Sequence, residues 1–155
     1  LNHSLNKSLM FFGAGNVMRS FGTKDIGRIG GVGTRFPVMG ALWLAGAIAI
    51  TGAPPFGLFQ AEFSILRGGL ATGHVLPVLI MCVLLIVIFI GFLNHFRVMY
   101  YEPAVPGGAE AKRLSAWCTV PMWFALAPVL VLGLWWPGAI WTYFGTIAHT
   151  LGAVR

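Results

Sequence analysis

The 155-residue chain is 57% hydrophobic and only 9% charged, and its net charge is +6. Because a soluble domain carries about 25% charged residues, this composition excludes an ordinary water-soluble domain, and it excludes a disordered chain as well. The basic residues stand mostly singly between apolar stretches, which is typical of membrane flanks and argues against binding to nucleic acid.

Five apolar stretches are predicted as membrane helices, which need about 20 residues each. They are residues 1–20, 36–53, 56–71, 75–97 and 116–136. The fourth has no Lys, Arg, Asp or Glu between Arg67 and Arg97. The sequence therefore predicts an all-α, polytopic transmembrane helical bundle over residues 1–136. Since the chain begins with Leu inside a predicted helix, we expect it to be the C-terminal part of a longer protein.

Two adjacent prolines separate the second predicted span from the third. Proline removes a backbone donor and restricts the residue before it, so Pro54 and Pro55 must interrupt a helix. Two interpretations follow: two complete spans joined by a tight turn over 52–57, or one broken helix. A broken helix at membrane depth is tolerated only where protein or a polar cavity covers the freed backbone groups.

Polar loops are predicted at 21–35 and 100–115. In the first loop Thr23 has the position of a helix cap, with Asp25 in the turn that follows. Five spans would place the two loops on opposite sides of the membrane. One side would then carry Arg19, Lys24, Arg28, Arg35, Arg67 and Arg155, and the other Arg97, Lys112 and Arg113. The positive-inside rule favours the first side as cytoplasmic.

Residues 137–155 are predicted as an amphipathic helix that lies in the membrane interface. Pro137 suits the start of a helix. The apolar residues recur at helical spacing: Ile140, Trp141, Phe144, Ile147, Ala148 and Leu151. The polar residues fall on the other side: Thr142, Thr146, His149 and Thr150. This pattern is typical of an interfacial helix, and a sixth span is the alternative.

Three ionisable residues lie inside predicted spans. Because burying an ionisable side chain in a membrane is energetically unfavourable, these residues are candidate functional positions. His3 and Lys7 are four residues apart and share one helix face. A buried lysine can take up and release a proton, whereas a lysine near the interface reaches water with its long side chain. Glu62 lies mid-span between Phe59 and Phe63. It is predicted as a protonatable relay residue, with a structural ion pair as the alternative.

Other polar and sulfur-bearing residues in the spans indicate little further chemistry. His74 and His95, near the two ends of the fourth span, are secondary relay candidates. No catalytic, cofactor-binding or metal-binding set is predicted. Cys82 and Cys118 lack metal-ligand spacing, and the glycines at 13–15 lack the spacing and the preceding strand of a dinucleotide-binding loop.

Three segments together carry a family resemblance. NHSLNKSLMFFGAG at 2–15 resembles the His-x-x-x-Lys helix of proton-conducting, antiporter-like membrane subunits. TKDI at 23–26, then Gly30, Gly31 and Pro37, is similar to the loop that follows that helix. AITGAPPFG at 49–57, with Phe59 and Glu62 after it, is similar to the family's Gly-x-Pro-Pro segment and its acidic residue. The likeness extends to about residue 70, and beyond that it is one of hydropathy.

The family includes pumping subunits of respiratory complex I, multi-subunit cation/proton antiporters and the membrane arm of energy-converting nickel–iron hydrogenases. The chain looks most similar to the hydrogenase-4 type. The resemblance implies a bundle of about fourteen spans in two inverted repeats, of which this chain would be the last five or so. Lys7 would match the central relay lysine, Glu62 the terminal residue of a half-channel, and His3 a bridging histidine.

The resemblance also implies a function. The chain would belong to a non-catalytic, proton-translocating subunit of a redox-driven complex, with no cofactor of its own, in the cytoplasmic membrane of a bacterium or archaeon. Its partners would be the bilayer and the other membrane and soluble subunits of a hydrogenase or complex I like assembly. A cation/proton antiporter, coupled to sodium, is one alternative, and a membrane anchor that conducts nothing is another.

Overall fold

The computed structural model describes residues 1–103, 111–135 and 137–152. Within these ranges the regular structure is helical and no strand is found, so the all-α prediction is confirmed there. The described α-helices are α1 (Asn2–Phe21), α2 (Val32–Arg35), α3 (Pro37–Ile50), α4 (Gly57–Ala71), α5 (Val75–Tyr101), α6 (Val120–Leu134) and α7 (Gly138–Thr150). Short 3-10 turns at Ile26–Arg28 and Ala116–Thr119 precede α2 and α6.

The helix ends follow turn-forming residues in the sequence. The α1 helix closes where the Gly22 N–H donates to the Met18 carbonyl at 2.8 Å. Pro37 stands in the first turn of α3, where a missing N–H breaks no helical bond. The fourth predicted helix continues past residue 97 to Tyr101. The fifth starts as a 3-10 turn, and its α-helical part begins only at Val120.

The loop after α1 is capped differently from the prediction. Asp25, and not Thr23, is the N-cap of the 3-10 turn, and its carboxylate accepts a hydrogen bond from the Gly27 N–H at 3.0 Å. The Thr23 hydroxyl instead accepts a bond from the Asp25 N–H at 3.2 Å. Both side chains therefore hold the backbone two residues ahead, as short polar side chains commonly do in turns.

The helices α1 and α3 pack against each other in antiparallel directions. Leu9, in the first half of α1, lies against Gly46 near the end of α3. At the opposite end of the pair, the Phe21 and Phe36 rings meet edge to face with their centroids 6.3 Å apart. Small residues at such crossings let two helix backbones approach closely, which is how helices associate in a membrane.

The helix α6 runs parallel to α3 and contacts both α1 and α3. Cys118, in the 3-10 turn before α6, lines a cavity together with Pro37, where α3 begins. The end of α6 reaches the turn after α3, because Gly133 lies against the Pro55 carbonyl. The Gln60 side chain of α4 donates a hydrogen bond to the Gly133 carbonyl at 2.6 Å. The turn between α3 and α4 is therefore held against α6.

The helices α3 and α4 follow one another along the length of α5. Val78, near the start of α5, lies against Gly69 near the end of α4. Phe96, near the end of α5, packs against Trp43 of α3 with ring centroids 4.7 Å apart. Both helices thus run antiparallel to α5 in one line. This is the arrangement of one broken helix, and not of two spans that turn back on each other.

The predicted loop at 21–35, before α3, and the predicted loop at 100–115, after α5, meet at one end of the bundle. The Ser20 hydroxyl donates to the Lys112 carbonyl at 2.7 Å, and the Lys112 N–H donates to the Ser20 carbonyl at 2.9 Å. Gly30 lies against the Pro103 carbonyl. The two loops therefore lie side by side and not at opposite ends of the bundle, contrary to the expectation, because α3 and α4 run in the same direction between them. Residues 104–110 of the second loop lie outside the described residues.

Two described helical segments are long and apolar enough to cross a membrane: Val75–Tyr101 and Ala116–Leu134. The helix α3 is as apolar but shorter, at 14 residues. Only 6% of the most apolar stretch of α5 is buried within the chain, so nearly all of this helix faces outward. The helix α7 has no buried residue, and it stands apart from the packed helices α1, α3, α4 and α6.

Candidate functional site

Glu62 lies in the first half of α4, just beyond the break in the helix. Its side chain is half-buried and lines a cavity of about 250 Å³ between α4, α5 and the turn at 51–52. The apolar lining comes from Phe59, Phe63, Leu66, Leu85, Ile86 and Phe89. The sequence predicted Phe59 and Phe63 as neighbours of Glu62, and the structure adds the wall supplied by α5.

The carboxylate of Glu62 is held against the backbone of the break. A Cβ added at Gly52 would collide with Oε2 of Glu62, so the position next to the carboxylate has room only for a glycine. Thr51, the preceding residue, donates its hydroxyl to the Ile48 carbonyl at 2.9 Å and so satisfies the end of α3. An ionisable group is thereby placed at the one point where the helix is interrupted.

The two candidates on α1 lie elsewhere in the described chain. His3 and Lys7 share a helix face, as the sequence predicted, and both side chains are exposed. The described part of the chain shows one ion pair, between Arg97 and Glu102 at 3.2 Å, so Lys7 and Glu62 are not directly paired. The structure therefore brings His3 to Lys7 and leaves Glu62 separate from both.

The secondary candidates His74 and His95 lie far apart and away from the Glu62 cavity. Nδ1 of His74 is 2.8 Å from the Thr72 hydroxyl in the turn before α5. Nδ1 of His95 is 2.7 Å from the Gly91 carbonyl in its own helix. The two residues are 21 positions apart, which on a helix is about 32 Å, so no single site contains them. A relay role for either one stays a prediction.

Two asparagines on the buried face of α1 were not predicted from the sequence. Asn6 is 1% exposed, and neither its Oδ1 nor its Nδ2 has a hydrogen-bond partner in the described chain. The Oδ1 of Asn2, one turn earlier, is also buried without a partner. The signal was present in the sequence, since two amides four residues apart in an apolar helix share one face.

The described residues contain no group of three or more His, Cys, Asp or Glu side chains that could hold a metal ion. Cys82 and Cys118 are free thiols on α5 and in the turn before α6. The groups that the site offers are therefore a carboxylate, amides and exposed cationic side chains, which can exchange protons and bind water.

Residues 1–89 match the family described as NADH:quinone oxidoreductase/Mrp antiporter, transmembrane. The chain is 43% identical over 65 residues to formate hydrogenlyase subunit 3 of Escherichia coli K12, which covers 42% of this chain and 11% of that protein. It is 32% identical over 101 residues to a hydrogenase-4 component F homolog of Methylacidiphilum infernorum, which covers 65% of this chain and 21% of that protein.

The fold is similar to a chain in the structure of the Mrp complex from Dietzia sp. DQ12-45-1b. The TM-score is 0.75 and the identity is 17%, over 86% of this chain and 33% of that chain. At this identity the likeness is one of fold. The chain spans a third or less of the length of each of these proteins.

Proposed function

This chain belongs to the NADH:quinone oxidoreductase/Mrp antiporter transmembrane family, and from that membership we propose that it is part of a proton-translocating membrane subunit of a redox-driven complex. The resemblance that the motifs predicted is confirmed by the match. Hydrogenase-related proteins among its relatives support a complex of the hydrogenase-4 or complex I class. Its partners would be the other subunits of that complex, in the cytoplasmic membrane of a bacterium or archaeon.

One observation carries this proposal: a carboxylate lies in an apolar cavity at a break in an apolar helix. Ionisable side chains inside a membrane are costly and are kept where they bind or move ions. An interrupted helix leaves backbone polar groups that protein or water must cover. Glu62 at the break is therefore well placed to take up a proton from one side and release it to the other.

The exposed pair on α1 supplies the second half of the proposed relay. His3 and Lys7 project from the part of α1 that lies level with the break, since Leu9 already reaches Gly46 near the end of α3. In this proposal, a charge gained or lost at one group of the relay favours proton transfer to or from the next group. We assign Lys7 and His3 to proton transfer toward Glu62.

We further propose that the broken helix crosses the membrane once. The helices α3 and α4 have 14 and 15 residues, or about 21 and 22 Å of rise, which is less than the roughly 30 Å core of a bilayer. Together, in line along α5, they are long enough. The chain then makes four passages: α1, the broken helix, α5 and Ala116–Leu134.

The helix α7 is proposed to lie in the membrane interface. Its large side chains Trp141, Tyr143 and Phe144 are exposed, and aromatic residues concentrate at membrane surfaces. The Thr146 hydroxyl donates to the Thr142 carbonyl at 3.0 Å, so this hydroxyl is satisfied within the helix itself. Such a helix can lie on lipid with its aromatic side chains at the interface without leaving this polar group unpaired.

The experiment that tests the function changes Glu62→Gln in the complete subunit within its own membranes. We expect proton translocation to be lost while the complex still assembles, because the amide keeps the shape of the side chain but cannot accept the proton. Proton release from energised vesicles measures translocation, and a native gel of the solubilised complex measures assembly.

The matched control is Glu102→Gln, which removes an exposed carboxylate paired with Arg97 at the end of α5. It should leave translocation unchanged, because an exposed ion pair contributes little. Normal pumping by the Glu62→Gln variant would contradict the relay. If pumping is lost and the wild type requires sodium, the subunit is a cation/proton antiporter instead.

A further inference from the structure

Asn6 is the buried polar side chain of α1 with both amide atoms unsatisfied. It is 1% exposed, and no described group bonds to its Oδ1 or its Nδ2. Burying an amide without hydrogen bonds is unfavourable, and an apolar residue at the same position would not carry this penalty. A buried amide of this kind points to a small polar ligand that completes its hydrogen bonds.

The surroundings place this amide beside the break. The Asn2 side chain touches Gly57, the first residue of α4. Leu9 touches Gly46, near the end of α3. Asn6 lies between Asn2 and Leu9 on the same buried face of α1. Its side chain is therefore level with residues 51–56, where the helix is interrupted.

The donor and acceptor groups of the Asn6 amide indicate which ligand it can bind. Asparagine offers two N–H donors and one carbonyl acceptor. A metal cation would bind the carbonyl oxygen but would be repelled by the N–H group beside it. Water satisfies both, because its oxygen accepts from Nδ2 and its hydrogen donates to Oδ1. Buried water typically makes about three hydrogen bonds to such groups, and Asn2 Oδ1 is a further acceptor in the same region.

We propose that Asn6, with Asn2, binds ordered water between α1 and the helix break, and that this water carries protons between Lys7 and Glu62. The second part rests on the proposed function. A water molecule accepts a proton from the Lys7 ammonium group, and the chain of water passes a different proton to the Glu62 carboxylate. The amide of Asn6 keeps its own protons throughout, so Asn6 is a positioning residue.

The first test measures the water directly. X-ray hydroxyl-radical labelling, read by mass spectrometry on the complete subunit in its complex, modifies side chains that touch bound water. Leu9 is 0% exposed and should nevertheless be labelled in the wild type. In Asn6→Leu, which has a similar shape and no polar atom, its labelling should fall about tenfold. The control Ser20→Ala removes another buried polar group of α1, bonded to Lys112, and should keep the labelling.

The second test measures protons moved per substrate turnover. Asn6→Leu should lower this ratio, because the loss of one hydrogen bond to the water slows the proton step about tenfold while substrate turnover continues uncoupled. Assembly and thermal stability should be kept or improved, because an apolar side chain suits the buried position. Asn6→Ser, which can still bond water, should retain most of the proton-to-turnover ratio. A purely structural role for Asn6 would not make the serine variant pump better than the leucine variant.

The outcomes separate the two parts of the proposal. An unlabelled Leu9 in the wild type would overturn the water site. Loss of labelling in Asn6→Leu with an unchanged proton ratio would keep the site and overturn its role in proton transfer. If Glu62→Gln also pumps normally, the proposed function fails, while the labelling of Leu9 still decides whether Asn6 binds water.

Discussion

Gly52 combines a restricted backbone with a close polar neighbour. Its φ of 73° lies in the left-handed region, which costs a residue with a side chain about 1–2 kcal/mol. A Cβ at this position would also collide with the Glu62 carboxylate. At the scale of one residue, the absence of a side chain at 52 sets where the carboxylate of the candidate site can lie.

Replacing Gly52→Ala should therefore displace Glu62 as well as strain the turn. We expect lower thermal stability and a loss of most proton translocation, measured by thermal unfolding in detergent and by proton release from vesicles. Gly73→Ala is the matched control, since its φ is 80° and an added Cβ meets nothing within 4 Å. Equal translocation by the two variants would show that Gly52 contributes only its backbone conformation.

Between elements, the contact of α1 with α3 is tightest at Gly13. A Cβ added at Gly13 would collide with the ring of Trp43, which is 4% exposed. Trp43 in turn packs against Phe96 of α5 with its ring plane tilted, so the ring has little room to move. Gly13 therefore fixes the separation of three helices, and the position of the broken helix depends on it.

A pair of substitutions in α1 tests this packing. Gly13→Ala should lower the free energy of unfolding by roughly 1–3 kcal/mol, the usual range for overpacking a tight contact. Gly15→Ala, where an added Cβ meets nothing within 4 Å, should be neutral or should stabilise by up to about 1 kcal/mol through helix propensity. Thermal unfolding of both variants gives the comparison, and equal stability would contradict the role of Gly13.

Over the whole molecule, seven of the nine described Lys and Arg residues gather at one end of the bundle, and Lys7 and Arg67 lie elsewhere. The two loops that meet there are joined by the bonds between Ser20 and Lys112. The cations in or beside these loops are Arg19, Lys24, Arg28, Arg35, Arg97, Lys112 and Arg113. Because loops rich in Lys and Arg remain in the cytoplasm, we infer that this end is cytoplasmic.

The four-passage topology predicts where introduced cysteines react. After Cys82 and Cys118 are changed to serine, Lys24→Cys and Arg113→Cys should both react with a membrane-impermeant thiol reagent in inverted vesicles and be protected in right-side-out vesicles. Gly73→Cys, in the turn between α4 and α5, should show the opposite pattern. If Lys24→Cys and Arg113→Cys were instead labelled from opposite sides of the membrane, α3 and α4 would be two complete spans and not one broken helix.

The class of the protein, its helices and the residues to test could all be predicted from the amino-acid sequence. Hydropathy over a stretch of 20 residues measures burial in lipid, and Pro54 with Pro55 breaks a helix wherever it occurs. These signals are local, so the helix bounds were predicted to within a few residues. The ionisable residues His3, Lys7 and Glu62 stood out for the same reason, since each contrasts with its immediate neighbours.

The spatial relation of the helices to one another is visible only in the folded structure. Hydropathy gives the length of an apolar stretch but not its direction, so it could not show that α3 and α4 lie in line along α5. The joining of the loops at one end follows from that alignment. The burial of Asn6 and the contact between Gly52 and Glu62 depend on side chains that the fold brings together, and no local pattern in the sequence records which helix faces which.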